Sequence, residues 1–140
     1  MRVELADTES AYEDAVSVRY DVFVDEQGVP EDLEVDEHED TATHFVAYDD
    51  GAAVEAARLR EYEAGVGKVE RVAVRKARRG EGVGAALMAA VEAAAAERFD
   101  ELYLHAQLHV EGFYADRGYE RDGDVFTEAG IEHVAMWQSL

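Results

Sequence analysis

Residues 67–106 limit the fold more than any other stretch. An apolar strand pattern, "GKVERVAV", passes through a basic, glycine-rich turn into the alanine-rich "VGAALMAAVEAAAA" and then into a second strand pattern, "ELYLHA". Val83, Leu87, Ala90, Val91 and Ala94 are spaced for one buried helical face, and the alanines favour helix throughout. Strand, helix, strand implies a parallel pair with a right-handed crossover. With 140 residues, 48% of them hydrophobic, the chain is long enough for one core and too short to divide convincingly into two.

The flanks supply further strands. "RVELA" alternates as a short strand, and Thr8 followed by Glu9 opens a helix through about Val24, with Tyr12, Ala15, Val16, Val18 and Val22 on its apolar side. Residues 25–40, "DEQGVPEDLEVDEHED", hold Gly28, Pro30 and nine acids with no lysine or arginine, and read as a loop with room for a turn of helix. Two strands follow between residues 43 and 62, joined at Asp49, Asp50 and Gly51, where Asp-Gly supplies the positive φ of a tight hairpin. Gly65 and Gly67 mark another turn before a strand over 67–75. "HVEGFYADRG" reads as a short helix ended by Gly118, and strands near 119–126 and 131–138 complete the pattern.

Charge narrows the function. Thirty-three acids against 13 basic residues give a net charge of −20. Nucleic acid and anionic membrane are therefore disfavoured as partners, because both demand a basic footprint. So large an acidic excess on a chain with clear apolar periodicity fits a halophile's interior, where salt screens carboxylate repulsion within about 3 Å. With no cysteine there is no disulfide, thiolate nucleophile or sulfur-ligated metal. No apolar run is long enough to span a bilayer, and "MRVELADTES" lacks a basic n-region and an apolar h-region, so the expectation is a soluble, cytoplasmic protein, compatible with a homodimer.

Against that background, Arg71, Arg75, Lys76, Arg78 and Arg79 gather beside Gly80, Gly82 and Gly84, just before the long helix. Glycines let the backbone approach a ligand closely, and a helix start offers unpaired N–H groups. The segment therefore reads as an anion site, the alternative being a tight strand-to-helix turn with solvated basic side chains. No Gly-Lys-Ser/Thr follows, which excludes an ordinary Walker loop. Gly80, Gly82 and Ala85 satisfy a G-x-G-x-x-A pattern, but Arg75 to Arg79 intervene after the strand and 56 residues remain after Gly84, too few for a doubly wound nucleotide domain.

"VAVRKARRGEGVGAALM" resembles the acetyl-CoA motif of the GNAT N-acetyltransferases, R/Q-x-x-G-x-G/A, with Arg79, Gly82 and Gly84 at its defined positions. Together with "RYDVFVDEQGVP", "ERVAV", "LHAQLHVEGFYADRGY" and "FTEAGIEHVAMW" in this order, the chain resembles the ElaA-like branch along nearly its whole length. The resemblance implies an α/β (α+β) fold: a mixed, largely antiparallel twisted sheet with a central parallel pair, flanked by about four helices. It also implies transfer of an acetyl group from acetyl-CoA to a primary amine of a small molecule or peptide, without a metal.

In that reading the backbone of Arg79, Gly80, Glu81, Gly82, Val83 and Gly84 holds the pyrophosphate, and neighbouring basic side chains meet the 3′-phosphate. The pantetheine arm runs along Val72, Ala73 and Val74, where this strand and the one at 102–106 splay apart. Tyr114 matches the tyrosine that protonates the leaving sulfur, with packing beside Phe113 as its alternative. Glu70, on one strand face with Val72 and Val74 unless a bulge intervenes, is the candidate base, because desolvation raises a carboxyl pKa; pairing with a nearby arginine is the alternative. Gln107 either bonds the cofactor arm or caps the next helix. Glu26 and Gln27, in "VFVDEQ", and the strand histidines His44 and His133 are the acceptor-pocket candidates. His105 and His109 straddle a strand end, which spoils a shared metal-binding face. A non-catalytic acyl-CoA sensor and a nicotinamide-nucleotide protein are the competing functions.

Overall fold

The computed structural model describes residues 2–34, 36–79 and 83–140. Among these residues seven strands form one sheet in the order β1-β2-β3-β4-β5-β7-β6. They are β1 (Arg2–Leu5), β2 (Thr43–Asp49), β3 (Ala52–Glu63), β4 (Val66–Val74), β5 (Glu101–Gln107), β6 (Glu120–Glu128) and β7 (Ile131–Ser139). The helices are α1 (Glu9–Arg19), the single turn α2 (Glu31–Glu34), α3 (Val83–Ala96) and α4 (Glu111–Asp116). The β4–β5 pair is parallel and all other pairs are antiparallel. This is the mixed sheet with a central parallel pair that the sequence implied.

Local chemistry explains most boundaries. Thr8 caps α1, its hydroxyl accepting from the Ala11 N–H at 3.1 Å. Beyond Arg19 the helix continues to Glu26, but widened into a π-helix. Such segments concentrate at functional sites. The buried stripe here is Ala11, Ala15, Val18 and Val22, while Tyr12 and Val16 are only half-buried. Asp50 and Gly51 both take positive φ, as the Asp-Gly hairpin requires. Gly67 corrects the expectation of a turn: it lies inside β4, and a Cβ there would come within 2.6 Å of the Phe99 ring. The turn belongs to Gly65 alone.

Two cores sandwich the sheet. On one face Leu59, Val69, Leu102 and Leu104 pack with Leu87, Met88 and Val91 of α3 and with Tyr114 of α4. On the other, Val46, Ala56 and Ala73 pack under Ala11, Ala15 and Val18 of α1. A bulge at Arg71, whose φ is +55°, breaks the alternation of β4. Val72 consequently joins Val69 on the α3 side, and Ala73 turns to the α1 side. The expected common face of Glu70, Val72 and Val74 is therefore not formed, because the extra residue reverses the side-chain phase.

Candidate active site

The site begins where the parallel pair ends. Register runs from Val66↔Glu101 to Val69↔Leu104 and stops there, although β4 continues to Val74 and β5 to Gln107. Beyond that point the two strands part, leaving the β5-facing edge of residues 70–74 without a partner strand. Backbone groups need partners, so an open edge between two central strands is a place for a ligand's amides. The first described residue of α3, Val83, follows β4 closely in sequence, and Gly84 sits over β3, where a Cβ would lie 3.4 Å from Phe113 and 3.7 Å from Glu55 Oε2. Gly80, Glu81 and Gly82, three of the expected pyrophosphate ligands, lie outside the described residues.

The basic cluster of residues 71–79 has acquired protein partners. Arg71 bonds the Leu33 carbonyl at 2.8 Å and pairs with Glu34 and Asp36. Arg75 pairs with Asp21 at 2.8 Å and Arg78 with Asp49. Arg79 places its guanidinium against both Glu26 oxygens at 2.7 Å and donates through Nε to the Val74 carbonyl. Lys76 alone of the five makes no ion pair among the described residues. Four arginines expected to lie ready for phosphate are thus also fasteners that hold the surrounding loops to β4.

Glu26 and Gln27, the expected acceptor residues, are brought against Arg79 and the end of β5. Glu26 meets Arg79, which lowers its pKa through the charge-assisted bond. Gln27 and Gln107 exchange amide hydrogen bonds of 3.3 and 3.0 Å, bridging the π-helix to the end of β5. Gln107 does not cap the following helical turn with its side chain. His133 stands opposite Gln107 in the β5–β7 register, its Nδ1–H donating to the Ile131 carbonyl at 2.7 Å. His44 lies elsewhere: it is buried beneath Tyr12 with Nε2 bonded to the Glu39 carbonyl, and burial lowers its pKa. Its described partners, Tyr12 and Glu39, come from α1 and the acidic loop.

Glu70 takes the alternative of pairing with arginine. Arg58 at 2.7 Å, Arg60 at 2.9 Å and Lys68 at 3.4 Å surround its carboxylate. Burial opposes ionisation, but these cations prevail and hold the pKa down to about 2. A carboxylate so stabilised is no base near neutrality. It belongs to a buried ionic layer in which Arg19 binds Glu34 and Glu39 while Arg58 binds Asp36, Glu39 and Glu70. The acidic loop before β2, read from sequence as a loop with room for a turn of helix, supplies most of the anions of this layer.

Tyr114 packs in the α3-side core, edge-on to Phe113 and Tyr119. Burial, aided by the charges of Glu55 and Glu92, keeps its phenol protonated far above the ordinary range. Glu55 itself escaped the sequence reading. It is fully buried on β3, both carboxyl oxygens lack a hydrogen-bond partner among the described residues, and burial raises its pKa to about 8. The available signal was an acid set in the apolar run "AAVEAARL". On the other face of the sheet, His105 donates from Nδ1 to Glu128 at 3.0 Å and accepts from the Tyr103 hydroxyl at 2.7 Å. Among the described residues no cluster of three or more histidines and acids is arranged to hold a metal.

The fold as a whole has counterparts among known proteins. Residues 7–140 match the acetyltransferase (GNAT) domain model. The chain belongs to the GNAT acetyltransferases. It is 41% identical over 138 residues to the uncharacterized N-acetyltransferase YjcF of Bacillus subtilis, covering 97% of this chain and 98% of that protein. An acyl-CoA N-acyltransferase structure from Pseudomonas aeruginosa matches with a TM-score of 0.83 and 30% identity, over 99% of this chain and 97% of that one. The structure of Escherichia coli ElaA matches over the same shares with a TM-score of 0.85 and 25% identity. This GNAT domain is thus an acetyltransferase fold of the kind that moves acyl groups from coenzyme A, and no helix among its described residues is long and apolar enough to cross a membrane.

Proposed function

We propose that the chain, as a single acyltransferase domain over 1–140, transfers an acetyl group from acetyl-CoA to a primary amine of a small molecule or peptide by direct attack in a ternary complex. The observation that carries this reading is the parting of β4 and β5 beyond Val69 and Leu104, with the start of α3 nearby. The open edge of residues 72–74 would pair with the pantetheine amides, and amides from Arg79 to Gly84 would face the diphosphate. Fixing thioester and amine side by side supplies much of the rate enhancement through proximity. Tyr114, held neutral, is the group suited to protonate the leaving sulfur. With Glu70 tied in ion pairs, solvent takes the acceptor's proton. The acidic composition further suits a cytoplasm of high ionic strength.

Calorimetry with CoASH and a thiol-release assay with acetyl-CoA test the reading together. Saturable binding with release of thiol above the enzyme-free rate supports an enzyme. Binding without release would support a sensor module instead. Gly84→Glu is expected to weaken CoASH binding by roughly tenfold or more (~1.4 kcal/mol), because it brings a second carboxylate and its bulk against Glu55 and Phe113 at the helix start. Unchanged affinity in a folded Gly84→Glu protein would remove the cradle from this reading.

Lys76 is the described cation of the cluster left without an ion pair, so it is the best candidate for the 3′-phosphate. Lys76→Glu is expected to lower affinity for CoASH about fivefold and for dephospho-CoA little. Equal loss for both ligands would place the lysine elsewhere.

A further inference from the structure

The segment "FTEAGIEHVAMW" forms most of the β6–β7 hairpin, turning at Ala129 and Gly130, both of positive φ. Register carries it toward the parted strands. His133 pairs with Gln107 and Trp137 with Tyr103 across β5–β7, and Phe126 pairs with His133 across β6–β7. Paired residues share a face, and those of β5 alternate with Leu102, Leu104 and Ala106 of the α3-side core. They therefore stand on the α1 side of the sheet, where α1 packs on β2, β3 and β4 and leaves Tyr103, His105, Phe126 and Trp137 partly exposed. His105 is the first residue of β5 beyond the last parallel pair, Val69↔Leu104.

On this face Glu128 lies between two imidazoles. His105 donates from Nδ1 to Oε1 at 3.0 Å, a bond that lowers the Glu128 pKa and keeps the group an anion. His133 Nε2 stands 3.8 Å from Oε2, beyond hydrogen-bond length. Because the Nδ1–H of His133 is committed to the Ile131 carbonyl, the neutral ring turns a bare lone pair toward that oxygen. Two acceptors thus face each other with no donor between them among the described residues. The His133 side chain is 8% exposed and that of Glu128 49%, so the space between them is entered from the Glu128 side. Phe126 walls it, stacked on His133 at 6.0 Å and edge-on to His105 at 4.9 Å between centroids.

We propose that Glu128 and His133 form an acceptor subsite for a second positive charge, so that the substrate is a dication whose two amino groups are joined by a short aliphatic chain. The inference rests on the acyl-transfer reading above and names the class of amine. An ammonium carries three N–H donors, enough to bond Glu128 Oε2 and His133 Nε2 at once. Adjacent strands are ~4.8 Å apart, so a charge beside Glu128 lies one to two strand spacings, about 5–10 Å, from a nitrogen in the gap between β4 and β5. A short alkyl chain covers that distance, with the Phe126 ring against its methylenes. The remaining charges favour a cation. Lys68 acts on Glu128 from β4 but is paired with Glu70 at 3.4 Å, while Asp122 of β6 adds negative charge that Tyr103 feels together with that of Glu128.

The test uses the full chain and acetyl-CoA. Thiol release is measured with diaminopropane, diaminobutane and diaminopentane, each against the monoamine of the same length, and with hydroxylamine, a small nucleophile that needs no subsite. In the wild type, kcat/KM for the best diamine is expected to exceed that of its monoamine about tenfold, as a charged hydrogen bond supplies. Glu128→Gln is expected to raise KM for that diamine about tenfold with kcat little changed, bringing the diamine-to-monoamine ratio near one. Glu132→Gln removes an equal charge from the opposite face of β7 and is expected to keep the preference. Independently of turnover, the imidazole resonances of His105 and His133 in the CoASH complex are expected to shift with diaminobutane at concentrations where butylamine leaves them in place.

Equal kcat/KM for diamines and monoamines in the wild type overturns the subsite and leaves the acyltransferase reading standing. A diamine preference that survives Glu128→Gln, or one that Glu132→Gln abolishes equally, overturns it as well. CoASH binding with no thiol released by any amine or by hydroxylamine removes the acyltransferase reading and the subsite with it.

Discussion

Glu55→Met is expected to raise the unfolding free energy by about 4 kcal/mol at pH 8 but only about 1 kcal/mol at pH 5. Burial raises the Glu55 pKa from 4.5 to about 8, so between those values the folded chain binds a proton that the unfolded chain has lost. The penalty is absent below about pH 4.5, grows as pH rises, and is complete above pH 8. Methionine fills nearly the same space and has no charge to desolvate. For a domain of this size the gain at pH 8 corresponds to roughly 10 °C in Tm. Denaturant melts at the two pH values are the measurement, and equal gains at both would show that the carboxyl titrates normally in the folded chain.

Arg58→Met is expected to act in the opposite sense, costing about 4 kcal/mol at pH 7. The Arg58 side chain is wholly buried and bonds Asp36, Glu39 and Glu70. Removing it strands carboxylates that are themselves largely inaccessible, with Glu39 5% and Glu70 10% exposed. Both are held down to about 2. The stability they contribute is therefore present above their unfolded values near 4.5 and is lost as pH falls toward 2. In the variant these carboxylates protonate more readily, so its deficit should shrink between pH 5 and 3. A deficit independent of pH would assign the role of Arg58 to packing.

Much of the fold could be read along the chain because its signals are local. The Thr8 cap, the Asp50-Gly51 hairpin and the strand–helix–strand of β4, α3 and β5 each follow from neighbouring residues. Other features could not be read that way. Nothing adjacent to Arg71 announces a bulge; it is seated by carbonyls and carboxylates of residues 33–36, more than thirty positions earlier. Its effect on side-chain phase is what separated Glu70 from Val72. Likewise, counting charges located a basic cluster, but not that Asp21, Glu26 and Asp49 had come to meet it.

The candidate site shows the same division. The open edge of β4, Tyr114 and the Gln27–Gln107 bridge involve residues that the motifs singled out. Glu55 lay outside every motif, and its importance depends on having no partner, a property that only packing can establish.

Sequence alone determined the order of elements, the parallel pair and the family resemblance, because periodicity, turn chemistry and motif spacing are properties of consecutive residues. The tertiary structure decided which acids carry charge. It surrounded Glu70 with three cations and gave Glu55 none among the described residues, and the ionisation of a buried carboxyl depends on the groups that distant segments place around it.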